Sequence, residues 1–224
     1  MRPTNRRPRP LTREEVTYRD DRLFIIATDD TAGPKQYFDF FRLNRIQIHV
    51  IPTEDGTSSA EHVLGRLCEV EHEPDDERWL LLDTDHYIYG RHAASYTRAL
   101  QIAQQKGISI ALSRPCFELW LLLHHDVETN VVEQGDARQV SAQLKGCIGT
   151  FNKVKLLREN FPDALLAQAC LRASRLDKNT PGGLIPASAT TRVYKLWRNV
   201  LDSVPHHALS EELRELKNDV GWSI

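Results

Sequence analysis

The sequence predicts an α/β protein: a mostly parallel sheet with helices on both faces, followed by a C-terminal helical extension. Short apolar runs alternate with amphipathic segments through the first half of the chain, the pattern of strands covered on both faces by their connecting helices. From Pro115 onward the periodicity is helical. Three strand ends, at Asp29, Asp83 and Ser113, are acidic or polar, and the carboxyl ends of parallel strands are where sites usually form. The predicted layout is a basic, flexible leader over residues 1–20, an α/β core over 21–130, and a helical extension over 131–224 packed on that core.

Leu23 to Thr28 (L-F-I-I-A-T) reads as a first buried strand ending at Asp29-Asp30. Gly33-Pro34 opens a helix, since proline suits the first turn, and Tyr37, Phe38, Phe40 and Phe41 wrap one face. Ile46 to Ile51 is a second strand, stopped by Pro52, and Thr57 or Ser58 caps a helix running to about Glu71. Arg78 to Asp83 is the third strand. Ala93 to Lys106 is a helix closed by Gly107, and Ile108 to Ser113 the fourth strand. Cys116 to Leu123 gives a helix apolar nearly all round, hence buried. Val132–Leu144, Asn152–Glu159, Asp163–Leu176, Ala189–Leu201 and Ser210–Asn218 read as amphipathic helices.

With 224 residues and 41% apolar content, the chain can build one substantial core, or a main domain with a smaller helical addition. No stretch approaches the roughly 20 consecutive apolar residues of a membrane span. The leader carries Arg2, Arg6, Arg7, Arg9 and Arg13 among prolines without a secretory-type apolar segment, so a cytoplasmic protein is expected. Cys68, Cys116, Cys147 and Cys170 form no C-x-x-C pair, which argues for reduced, mostly structural thiols. A net charge of −2 gives the whole molecule no nucleic-acid-like basicity, and the leader reads as a solvated tail or as a phosphate contact.

The chemistry concentrates in Leu81-Leu82-Asp83-Thr84-Asp85. Side chains two apart in extended backbone share a face, so Asp83 and Asp85 can hold one divalent cation, Mg²⁺ or Mn²⁺. Two carboxylates at roughly 4 Å repel by about 4 kcal/mol at an effective dielectric near 20, which favours a cation or a proton between them. The bland alternative is a pair of turn-favouring aspartates at a strand end. Glu118 is the second informative residue. A lone carboxylate on an apolar helix must be paired, protonated or metal-bound, and a buried ion pair with an arginine such as Arg114 competes with the ligand reading.

Ser113-Arg114-Pro115-Cys116-Phe117-Glu118-Leu119-Trp120-Leu121-Leu122-Leu123-His124 resembles the S-N-P-x-F-E-x-W-L-L-L-H signature of RloB-like proteins, a Toprim-fold group associated with prokaryotic anti-phage defence. Trp79 with Asp83-Thr84-Asp85 resembles the family's W-x-x-x-D-x-D strand, Phe151-Asn152-Lys153 its Y-N-K segment, and Thr191 to Leu196 its late T-x-V-x-x-L helix. Where such proteins carry E-G-E-x-T-E-P-x-Y-F, this chain has Asp29 to Phe38, which puts Asp29, one methylene shorter, at the Toprim glutamate position. Arg114 replaces the usual asparagine.

The resemblance implies a Toprim-like fold and a Mg²⁺- or Mn²⁺-dependent nuclease, an effector of abortive-infection type defence. Asp29 would be metal ligand or general acid/base, Asp83 and Asp85 metal ligands, and Glu118 a further ligand or an orienting group. Arg114 and Lys153 would contact substrate. The implied partners are nucleic acid, DNA or RNA including tRNA, and either a second copy of the chain or a sensor or ATPase protein.

Other readings compete. In haloacid-dehalogenase-type phosphatases the D-x-D lies on the first core strand, whereas two βα units precede it here; glycosyltransferases with D-x-D are usually longer. No G-x-x-x-x-G-K-[ST] occurs, so no P-loop hydrolysis is expected. The main alternative is a catalytically weak or inactive Toprim-like module that binds nucleic acid or regulates a partner. The adjacent pairs His124-His125 and His206-His207 diverge by about 100° on a helix and suit surface or capping roles, while His86 could approach the cation or a phosphate. Lys153, Lys155, Arg158, Arg172, Arg175, Arg192, Lys195 and Arg198 either line a polyanion groove or are simply solvated.

Overall fold

The computed structural model describes residues 21–54, 56–85, 92–126, 136–180 and 182–219. Strands β1 (Arg22–Thr28), β2 (Ile46–Ile51), β3 (Glu77–Asp83), β4 (Ser109–Arg114) and β5 (Thr190–Thr191) form one sheet in the order β2-β1-β3-β4-β5. All neighbours are parallel except β4 and β5. From β1 the chain crosses to β2 on one side and then returns to β3 on the other. The crevice between the carboxyl ends of β1 and β3 is therefore the point where the winding reverses.

Eight α-helices complete the described fold: α1 (Gly33–Asp39), α2 (Ala60–Glu69), α3 (Ala93–Gln105), α4 (Glu118–Leu122), α5 (Ala137–Ile148), α6 (Asp163–Asn179), α7 (Val193–Ser203) and α8 (Glu211–Asn218). The period of two along β1 sorts them. Ile25 and Ala27, with Leu80, Leu82 and Leu112, face α2 and α3, whereas Phe24 and Ile26, with Trp79, Leu81 and Ala111, face α1 and the helices from α4 onward. The C-terminal helices share this second, larger core with the sheet. Trp197 of α7 joins them to α1, its ring 5.6 Å from Phe38 and 4.7 Å from Phe41. Among the described residues no helix is long and apolar enough to cross a membrane.

Several boundaries differ from the sequence expectation. Ser59, not Thr57 or Ser58, caps α2, its hydroxyl accepting from the His62 N–H. The expected helix over 152–159 does not form. Asn152 Oδ1 instead accepts the Val154 N–H at 3.0 Å, a local bond that competes with helical pairing, and only a 3₁₀ turn follows at Arg158–Asn160. The segment expected to open a helix at Ala189 begins as β5, because Thr190 and Thr191 pair with Arg114 and Ser113; helix starts at Val193. Asp136 caps α5, which runs past Leu144 to Ile148; the expected start at Val132 lies outside the described residues, as do the leader over 1–20 and His86. All four cysteines are free, Cys116 and Cys170 buried, Cys68 and Cys147 exposed.

Candidate functional site

Five carboxylates meet at the β1/β3 crevice. A cavity of about 610 Å³ is lined by Asp29, Asp30, Asp83, Asp85 and Glu118, together with Lys153, Cys116 and, from α5, Arg138 and Ser141. Asp29 follows β1 directly, and its Oδ2 accepts the Asp83 N–H at 3.2 Å, tying the end of β1 to the end of β3. Asp30 turns inward for a different reason. Its Oδ1 accepts the N–H groups of Ala32 (2.8 Å) and Gly33 (3.1 Å) at the start of α1, which leaves Oδ2 for the cavity.

The D-T-D turn is held by the segment after β4. Thr84 N–H donates to Ser113 O and Pro115 O, and Asp85 N–H donates to Pro115 O, each at 3.1 Å. Tyr96 O–H donates to Asp83 O at 3.0 Å from α3. Thr84 is fully buried, so its neighbours on either side carry the exposed edge of the turn. Glu118 stands in the first turn of α4 with its side chain only 5% exposed.

Lys153 closes one side of this ring. Its ammonium lies 2.9 Å from Asp30 Oδ2 and 2.9 Å from Glu118 Oε1. Burial works against the charged lysine, but the Glu118 and Asp30 carboxylates overcome it and hold the ammonium protonated far above its usual range. The acids opposite behave differently. Burial, reinforced by Asp30 and Asp85, raises Asp29 from 3.8 to about 7, against the bond from the Asp83 N–H. Asp83 is likewise pushed up, by burial first and then by Asp29 and Glu118. Burial also drives the Cys116 thiol upward, with Glu118 and Asp83 adding to it, so it stays protonated and is no nucleophile.

The fold thus brings Asp29, Asp83, Asp85 and Glu118 to one cavity. Glu118 is ion-paired, but with Lys153 and not with Arg114. Arg114 does not line the cavity: its Nη1 donates to Pro186 O at 2.7 Å. Ser113 is also turned away, its buried hydroxyl 2.9 Å from Thr191 Oγ1. Lys153 is not a helix lysine: it stands in a turn and pairs with two acids of the cavity. Sequence reasoning passed over Asp30 and Arg138; an aspartate followed by Thr31-Ala32-Gly33-Pro34 favours a turn closed by its own side chain, a signal that would have marked Asp30 as fixed in place. Among the described residues, no three His, Cys, Asp or Glu side chains already stand grouped closely enough to chelate an ion.

Four of the remaining basic and histidine residues make structural contacts. Arg192 Nε and Lys195 Nζ pair with Asp177 at 3.0 and 2.9 Å, and Arg172 Nη1 donates to Leu123 O at 2.8 Å. Arg192 and Lys195 border a separate cavity beside Trp79 and Ser109, at the amino ends of β3 and β4, away from the acids. His124 is not a surface residue but fully buried, its Nδ1 3.0 Å from Trp120 O and its Nε2 3.1 Å from Tyr37 Oη. A carbonyl only accepts, so Nδ1 carries the proton and Nε2 accepts from the tyrosine.

The sequence pattern of the RloB-like protein matches residues 24–200. The chain belongs to the RloB-like family. That span contains every acidic residue of the cavity and Lys153, so the site lies wholly inside the family region. No curated protein and no solved structure matches the chain. Within the family region, the D-T-D turn, the S-R-P-C-F-E segment and the F-N-K segment are remote along the chain. They are joined here by the Pro115 carbonyl and the Lys153 ammonium.

Proposed function

We propose that this protein is a divalent-metal-dependent nuclease of Toprim type, with Mg²⁺ or Mn²⁺ held by Asp29, Asp83 and Asp85 and a nucleic acid, DNA or RNA, as substrate. One observation carries this reading: among the described residues, five carboxylates gather at the β1/β3 crevice, with Lys153 paired to Asp30 and Glu118. The donor set fits a hard cation, which takes oxygen ligands, although the side chains as they stand are not yet closed around a point. When bound, the ion polarises the phosphodiester and stabilises charge on the oxygens in flight.

The protein's own residues set up that chemistry. Bonds from Thr84 and Asp85 to Pro115 O fix the turn that presents Asp83 and Asp85, and the Asp83 N–H fixes Asp29. Arg138, in the first turn of α5, faces the same cavity with a positive charge suited to a phosphate. A place in anti-phage defence, with activation by a second copy or by a sensor or ATPase partner, is supported by the family resemblance.

The second reading is a binding or regulatory module that does not cut. The Lys153 ammonium inside the acid ring, and the absence of a closed three-donor group among the described residues, favour it. Cleavage of plasmid, single-stranded DNA and tRNA with Mg²⁺ or Mn²⁺, by the protein and by Asp83→Ala, separates the two. Metal-dependent cleavage lost in the variant is the expected result. Cleavage equal in both would attribute the activity to something other than this site, and cleavage by neither on any substrate would leave the binding module.

A further inference from the structure

We propose that Lys153 is a tethered cation standing where a second divalent ion would otherwise bind, so that the acid ring takes one metal ion and not two. This rests on the metal-dependent reading above. The ammonium bridges carboxylates from two remote elements, Asp30 before α1 and Glu118 in α4, at 2.9 Å each. Both acids are nearly sealed from solvent, at 4% and 5% exposed, whereas the lysine side chain is 47% exposed. Two carboxylates sealed together need a positive charge between them, and one reaches in from the surface.

The lysine is also placed deliberately by its surroundings. The Gln36 side chain of α1 holds the segment around Lys153 at two points: its Nε2 donates to Lys153 O at 3.3 Å, and its Oε1 accepts the Leu156 N–H at 3.0 Å. Asp30 Oδ1 accepts the Ala32 and Gly33 N–H groups that lead into the same helix. One short helix therefore fixes both the cation and one of its acceptors. Asp29 and Asp83, on the other side of the ring, form no ion pair among the described residues, and their carboxylates are the ones left to a metal.

Isothermal titration of Mn²⁺ into the EDTA-treated, dialysed full chain tests this. The wild type and Lys153→Arg are expected to bind one ion, and Lys153→Ala two, the second between Asp30 and Glu118. Two ions in the wild type, or any count other than two in Lys153→Ala, overturns the proposal. No binding by the wild type removes the metal reading as well, which distinguishes the two failures. If Lys153→Ala does not fold in EDTA, refolding it with Mn²⁺ gives the same answer: recovery of the wild-type far-UV circular dichroism with two bound ions supports the exchange of one cation for another, and failure to recover overturns it.

Discussion

Replacing Asp29 by asparagine should stabilise the metal-free protein while abolishing its response to metal. Asparagine is isosteric and its carbonyl can still accept the Asp83 N–H, so the geometry between β1 and β3 survives. The charge does not. A carboxyl raised from 3.8 to about 7 in the folded state binds a proton more tightly than in the unfolded chain, so its contribution to stability is fully present below pH 3.8 and is lost as pH rises through 7. The difference corresponds to about 4 kcal/mol, and partial exposure of Asp29 to solvent screens it to nearer 2 kcal/mol. Urea denaturation of wild type and Asp29→Asn in EDTA, at pH 4 and pH 8, measures the change directly. The variant should gain about 2 kcal/mol on the wild type between the two pH values, and added Mg²⁺ should raise the midpoint of the wild type only. A gap between the proteins that is the same at both pH values, or an equal response to Mg²⁺, would refute the crowding of Asp29 against its neighbouring carboxylates at this crevice.

Other expected outcomes follow from single contacts. His124 is lowered to about 3 by burial, so between pH 6.5 and 3 the unfolded chain binds the extra proton and stability falls with falling pH, by about 1.4 kcal/mol per pH unit. Denaturation of His124→Gln should lack that component, and parallel pH profiles would contradict it. Asp177→Ala strands Arg192 and Lys195 around a nearly buried site and should cost about 3 kcal/mol in denaturant unfolding, an unchanged midpoint being the contrary result. For the same reason, charge reversal at Arg192 or Lys195 should lower thermal stability while leaving the salt dependence of nucleic-acid binding unchanged; a flattened salt slope would place those residues in a polyanion groove. Arg138→Ala, in contrast, should reduce the magnitude of that slope by about one, and binding curves that superimpose on the wild type would remove Arg138 from the phosphate path.

Local chemistry wrote much of this protein into its sequence. The apolar runs at Leu23–Thr28 and Trp79–Leu82 can be buried only as strands covered on both faces. Pro34 starts α1 and Gly107 ends α3 with a φ of 67° that other residues adopt at a cost. The D-x-D and the lone glutamate of an apolar helix announced a charged site, because carboxylates beside such runs must find a counter-charge. What identified Glu118's partner was not local. Arg114 is nearer along the chain, but its Nη1 donates to Pro186 O outside the cavity, while Lys153 is delivered by a segment that Gln36 holds against α1. The same applies to residues 152–159, where helical periodicity lost to an Asn152 side-chain bond, and to Thr190-Thr191, which were drawn into the sheet by the open edge of β4. Sequence fixes periodicity and residue chemistry, which are properties of near neighbours. Ion-pair choice, strand pairing and the division of five acids between a lysine and an open cavity depend on which surfaces meet, and packing of the shared core settles that.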